Sequence, residues 1–255
     1  MKKILFCDLD GTLVEKNSLI EADIIDKIRE FRENNIFVIN TGRNIDEAAE
    51  LINKVRMPFD YMILNNGAHI IDSQCNDLMK NVIDRETGLA VIELIMGCDN
   101  LEASFYNGVR TYILKEGVTH ILQDGEFVAV DADFWQTAKD SSHFEIINCS
   151  QADRGLETVY EVISRLEQYD VSCNLNDIYL DISYKGATKG YGAKTLMDML
   201  DFKGISYGIG DSYNDISMFQ TVDHGATFHH CLDQIKEKAD LVVASVSELL
   251  KKVED

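Results

Sequence analysis

Apolar positions along the chain fall into short blocks that end at polar clusters. Ile4 to Cys7 is a β-prone apolar run that stops at acidic and glycine residues, which predicts a buried strand opening into a loop. Ile24, Ile25, Ile28 and Phe31 then paint one stripe at helical spacing. Ile36 to Ile39 reads as a second strand, Ala48, Leu51, Ile52 and Val55 as a second amphipathic helix, and Tyr61 to Leu64 as a third strand. Strand, helix, strand, helix, strand is the rhythm of a parallel sheet with right-handed crossovers, whose ligands bind at the carboxyl ends of the strands.

The rhythm changes between residues 83 and 184. A helix-like stretch with Leu89, Ile92 and Ile95 precedes strand-like Glu102 to Tyr106 and Arg110 to Leu114. An irregular acidic region, a strand at Phe144 to Ile147 and a helix at Leu156 to Leu166 follow, and then two strands flank the Asn176-Asp177 turn. The first rhythm returns with a helix from about Gly190 to Leu200, a strand Ile205 to Ile209, a helix Ile216 to Phe219, a strand Leu241 to Val243 and a helix Leu249 to Val253. The pattern predicts an α/β core of residues 1–82 and 185–255, built on a Rossmann-like parallel sheet, with an α+β domain, 83–184, inserted in it. No Pro/Gly-rich linker and no internal repeat separates the parts.

Charge narrows the partners. Against 24 Lys and Arg stand 44 Asp and Glu, a net charge of −20 over 255 residues. The inserted segment carries net −13 of this. So acidic a chain is unsuited to a nucleic-acid polymer or an anionic membrane, and a phosphate-binding site must concentrate its few cations or a metal. The six cysteines are scattered, with no CxxC, which predicts reduced thiols in a cytoplasmic setting. After Met1-Lys2-Lys3 the apolar run is too short for a signal peptide, and no segment reaches the length of a membrane span.

The chemistry collects at strand ends. In Asp8-Leu9-Asp10-Gly11-Thr12 two carboxylates share one face of an extended chain, and Gly11 permits the turn that follows. At about 4 Å such a pair repels by roughly 4 kcal/mol at an effective dielectric near 20, so it is stable only with a cation between them or with one side protonated, which asks for a metal. Gly210-Asp211-Ser212-Tyr213-Asn214-Asp215 follows another short strand, and parallel pairing would bring both clusters to one sheet edge. All-oxygen ligation suits Mg²⁺. Thr41-Gly42 offers a hydroxyl and an accessible amide, and Lys189 a compact positive charge, the set that phosphoryl transfer needs. Arg43 serves equally as an ion-pair partner, and Asn66-Gly67 is a turn signal as much as a contact. His229-His230 and Cys7 read as structural, and Phe134 and Trp135 as core of the insert.

In this order, Asp8-Leu9-Asp10-Gly11-Thr12, Thr41-Gly42-Arg43, Lys189-Gly190 and Gly210-Asp211 through Asn214-Asp215 resemble the four motifs of the haloacid dehalogenase superfamily of phosphohydrolases. The insert resembles the cap of its Cof-type subgroup. The resemblance implies that Asp8 attacks phosphorus and Asp10 acts as acid and then base, with Mg²⁺ held by Asp8, the Asp10 carbonyl and Asp211. It implies phosphoryl contacts from Gly11, Thr41, Gly42, Lys189 and Asn214, substrate contacts from Arg43 and Asn66, and support from Asp215 and Ser212. A departure is His229-His230-Cys231, where similar proteins run Gly-Asn-Ala. The substrate expected is a small soluble phosphomonoester such as a sugar phosphate, a phosphorylated cofactor or a nucleotide, handled by a monomer or homodimer. A phosphomutase shares every motif, and a non-enzymatic phosphometabolite sensor is the reading from another class. Within the cap, Arg110, Lys115, Arg154 and Asp181 are the polar candidates for leaving-group contacts.

Overall fold

Ile4, Leu5, Phe6 and Cys7 have no exposed surface, and neither do Phe37, Val38 and Ile39, so these strands are covered on both faces. The computed structural model describes residues 1–14, 20–21, 23–123, 126–153, 155–176 and 178–254. Arg154 and Asp177 of the sequence reading lie outside the described residues. The chain divides into two compact units, one of Met1–Gly42, Val55–Lys80 and Thr188–Asp255, the other of Arg43–Lys54 and Asn81–Ala187.

The first unit carries an eight-stranded sheet in the order Leu241–Val243, His224–Phe228, Ile205–Ile209, Lys3–Cys7, Ile36–Asn40, Tyr61–Leu64, His69–Asp72 and Asp77–Lys80. The first six strands are parallel. The last two extend the sheet as an antiparallel hairpin. Central in this order, Lys3–Cys7 pairs with Ile205–Ile209 on one side and Ile36–Asn40 on the other, which sets the two acidic clusters on neighbouring strand ends. Helix Ile24–Arg32 buries Ile24, Ile28 and Phe31, as its stripe requires, and packs on the helix Val246–Glu254.

Three strands here were not expected. His224–Phe228 is broken up by His224, Gly225 and Thr227, yet its last four residues are buried. The hairpin His69–Asp72 and Asp77–Lys80 has a largely exposed outer strand with no apolar alternation. Its turn is fixed by Asp72, whose Oδ1 accepts from the backbone N–H of Gln74 and Asn76 at 2.8 and 2.9 Å.

The second unit is an antiparallel seven-stranded sheet ordered Glu126–Ala129, Val118–Gln123, Thr111–Lys115, Leu101–Tyr106, Ile146–Gln151, Tyr179–Tyr184 and Val171–Asn176. Alternate residues, among them Phe105, Ile147, Cys149, Leu180 and Ile182, join Val91, Ile95, Val159 and Val162 of two helices in one core. Phe134 belongs to this core, 5.0 Å from Phe105 between ring centroids, and Trp135 packs against it. The region read as irregular is instead a hairpin followed by the helix Phe134–Asp140. The single strand expected at Phe144 to Ile147 is two, His143–Phe144 and Ile146–Gln151, parted at Glu145. Residues 43–54, left with the parallel sheet by the boundaries read from sequence, group with this unit.

Candidate active site

Four of the parallel strands end in polar residues that converge. Just beyond the first strand, the Asp8 N–H donates to the Ile209 carbonyl at 2.9 Å, so Asp8 stays in register with the neighbouring strand. The chain then turns tightly, with the N–H groups of Leu13 and Val14 both donating to Leu9 O. Gly11 sits in this turn at φ +80°, and a Cβ there would run into the Asp211 carboxylate. The Gly11 N–H is taken up by the Val14 carbonyl at 2.8 Å, so Gly11 contributes the turn and the close approach and its amide is engaged. Thr12 Oγ1 donates to Asp211 Oδ1 at 3.4 Å.

Lys189 opens the helix Lys189–Met199, whose N-cap Thr188 accepts the Tyr191 N–H on its hydroxyl at 3.0 Å. Its Nζ is buried between two carboxylates, donating to Asp8 Oδ1 at 2.5 Å and to Asp215 Oδ1 at 2.6 Å. The other Asp215 oxygen accepts the backbone N–H of Asp211 and of Ser212, which fixes the loop. Asp8, Asp211 and Asp215 each offer a carboxylate oxygen within 4.8 Å of the others.

One ammonium therefore faces three carboxylates. Burial pushes Asp8 up to about 7; Lys189 pulls against this, while Asp215 and Asp10 add to the rise. Asp215 is raised too, by burial, against the pull of Lys189. Burial alone would depress the Lys189 ammonium, but Asp215 and Asp8 outweigh it and hold the ammonium above the ordinary lysine value. These three carboxylates could together hold a metal ion, and a donor set of oxygen alone fits Mg²⁺. Cys7 does not take part: burial raises its thiol well above the usual range, and its Sγ donates to Asp8 O at 3.3 Å.

Thr41 is buried, its N–H donating to Ile63 O and its carbonyl accepting from the Asn66 N–H. Arg43 is half-buried and donates to the Glu47 carbonyl, in the helix Ile45–Val55 that follows it, at 3.3 Å. Asn66 is fully buried, and its Oδ1 accepts from Asn214 Nδ2 at 3.3 Å. The cap candidates lie in the second unit. There Lys115 pairs with Glu102 at 3.6 Å, the buried Asp181 accepts from Asn148 at 2.7 Å, and Arg110 interacts with Asp46. His229 and His230 are both exposed in a turn, with His230 stacked on Phe228.

Sequence reasoning missed Asn40, Thr188 and Thr227. Asn40 is buried at the end of an otherwise apolar strand and donates to the Lys189 carbonyl at 3.0 Å. Thr227 donates to the Gly210 carbonyl at 2.8 Å. A lone polar residue in an apolar strand was the available signal for Asn40. Asp215, expected only as support, joins Asp8 and Asp211 as a possible ligand, whereas the Asp10 carboxylate is not in that group.

Comparison with known proteins bears on the whole chain. A 5-amino-6-(5-phospho-D-ribitylamino)uracil phosphatase of Bacillus subtilis is 26% identical over 274 residues, covering 96% of this chain and 94% of its own. Phosphoglycolate phosphatase 2 of Saccharolobus solfataricus is 26% identical over 259 residues, covering 96% of this chain and 90% of its own. Among solved structures, a haloacid dehalogenase-like hydrolase from Bacteroides thetaiotaomicron shares the fold with a TM-score of 0.80 at 20% identity, over 99% of both chains. The family profile of haloacid dehalogenase-like hydrolases matches residues 5–249, a span that takes in every residue of the acidic and lysine cluster. On that match the chain belongs to the haloacid dehalogenase-like hydrolases.

Proposed function

We propose that this protein is a Mg²⁺-dependent phosphatase that hydrolyses a small phosphomonoester through an aspartyl-phosphate on Asp8. The observation that carries the reading is the buried Asp8 carboxylate, 2.5 Å from Lys189 and grouped with Asp211 and Asp215. An Asp8 oxygen forms a bond to phosphorus while the ester P–O bond breaks, and Asp10 gives its proton to the departing alkoxide. Asp10, now a base, takes a proton from water; the water oxygen bonds to phosphorus and the Asp8 oxygen leaves. Lys189, the Thr41 hydroxyl and the Gly42 amide hold phosphoryl oxygens, and Arg43 lies on the substrate side. Asp8, the Asp10 carbonyl and Asp211 would hold Mg²⁺, with Asp215, Ser212 and Asn214 fixing the loop around it. When bound, the ion supplies charge neutralisation for the phosphoryl oxygens.

In this reading residues 1–82 and 185–255 are the catalytic core and 83–184 the cap. The net charge of −13 on the cap segment favours leaving groups that are neutral or cationic. The protein acts in the cytoplasm on a soluble metabolite, as monomer or homodimer, with neither a nucleic-acid polymer nor a membrane as partner. Among the described residues, no helix is long and apolar enough to cross a membrane.

The test is phosphate release from an aryl phosphate and a metabolite panel, with and without Mg²⁺. Asp8→Asn is expected to abolish Mg²⁺-dependent release, and unchanged release by that variant would overturn the mechanism. Isomerised sugar phosphate without free phosphate would make the protein a mutase. No turnover on any ester would leave a sensor.

A further inference from the structure

Asn65, Asn66 and Gly67 are three successive residues with positive φ, at 52°, 52° and 102°. For non-glycine residues this conformation is strained, and asparagine is among the few that adopt it. The strain is tied to the site. The Asn66 N–H donates to the Thr41 carbonyl at 3.1 Å, and Gly67 packs so closely on the Thr188 carbonyl that a Cβ would collide with it. The fully buried Asn66 side chain reaches a third segment, accepting the Asn214 amide. One strained turn thus touches the segments that carry Thr41, Lys189 and the Asp211–Asp215 loop.

The Asn214 amide has two chemically opposite ends. Its Nδ2 is engaged by Asn66, while its Oδ1 is buried and finds no hydrogen-bond partner among the described residues. A buried carbonyl oxygen without a donor is costly unless a cation or a bound water completes it. We propose that Asn66 is a positioning residue that fixes the orientation of the Asn214 amide, so that Oδ1 rather than NH₂ is offered to a magnesium ion or to one of its waters. Without Asn66 the amide is free to rotate by half a turn and present N–H dipoles to the cation. The inference rests on the magnesium reading of the site and adds to it the residue that sets the polarity of the shell.

The test is a calorimetric titration of the full chain with MgCl₂, without substrate, in a double-mutant cycle. Asn66→Gly keeps the left-handed backbone and removes the accepting oxygen. Asn214→Asp makes both ends of the side chain oxygen, so its orientation no longer matters. The expected result is a five- to tenfold weaker Mg²⁺ affinity for Asn66→Gly in the natural background and less than twofold in the Asn214→Asp background. Equal losses in both backgrounds, or no loss in either, would overturn the role. Asn66→Asp, which keeps both the backbone and an accepting oxygen, should bind at least as well as the natural protein. A loss there like that of glycine also counts against the proposal, and this variant decides the question if Asn66→Gly does not fold. No Mg²⁺ binding by the natural protein would sink the magnesium reading together with the inference, whereas normal binding with additive effects would sink the inference alone.

Discussion

Lys189 occupies the first position of a helix, where backbone N–H groups disfavour a cation, and it is held there by Asp8 and Asp215. Removing one member of such a buried group leaves charge without a partner, and the sign of the effect depends on which member goes. Lys189→Met strands two buried carboxylates and is expected to cost about 3–5 kcal/mol in urea unfolding without metal, part of it regained on adding Mg²⁺. Asp8→Asn leaves a neutral Lys189–Asp215 pair, so the metal-free variant should melt no lower than the natural protein. A Lys189→Met protein as stable as the natural one would show that the three charges are not coupled as described.

Helix Arg85–Met96 starts at Asp84, whose Oδ1 accepts the Thr87 N–H at 3.0 Å, and this bond holds the Asp84 carboxyl below its ordinary range. Asp84→Ala is expected to cost about 1 kcal/mol at neutral pH. A depressed native pKa stabilises above the unfolded value of about 3.9 and loses that effect as pH falls through the native value, so the gap seen at neutral pH should narrow in acid below the unfolded value. Urea unfolding at neutral and at acid pH checks both statements. How legible an element was in the sequence follows from what it buries. Runs such as Ile4–Cys7 and Ile36–Asn40 were plain because both faces are covered. Glu126–Ala129 was not, because all four residues are exposed and no burial pattern marks them. At the site, clustered acids and the lysine announce themselves as residue types set after strands. Thr188 acts through a side-chain bond to the backbone of the Lys189 helix, which leaves no pattern to read.

At the scale of the molecule, the main apolar cluster of the second unit is drawn, among the described residues, from residues between Ile83 and Ile182. A fragment of residues 81–187 is therefore expected to fold alone, with a cooperative melt and dispersed amide resonances; a collapsed, non-cooperative fragment would show that this core needs residues from elsewhere. The left-handed turn has a consequence for the lifetime of the whole protein. Asn66 precedes Gly67, the pairing in which a backbone nitrogen most readily closes on a side-chain amide and expels ammonia. In the native fold, burial and a ψ of 37° keep the Gly67 nitrogen from the ring-closing position. Unfolding releases that restraint, so each hour spent denatured at high temperature converts more of position 66 to aspartate and isoaspartate. Heat damage to this protein would accumulate as a chemical clock, and isoaspartate, with its lengthened backbone, cannot rebuild the turn on cooling.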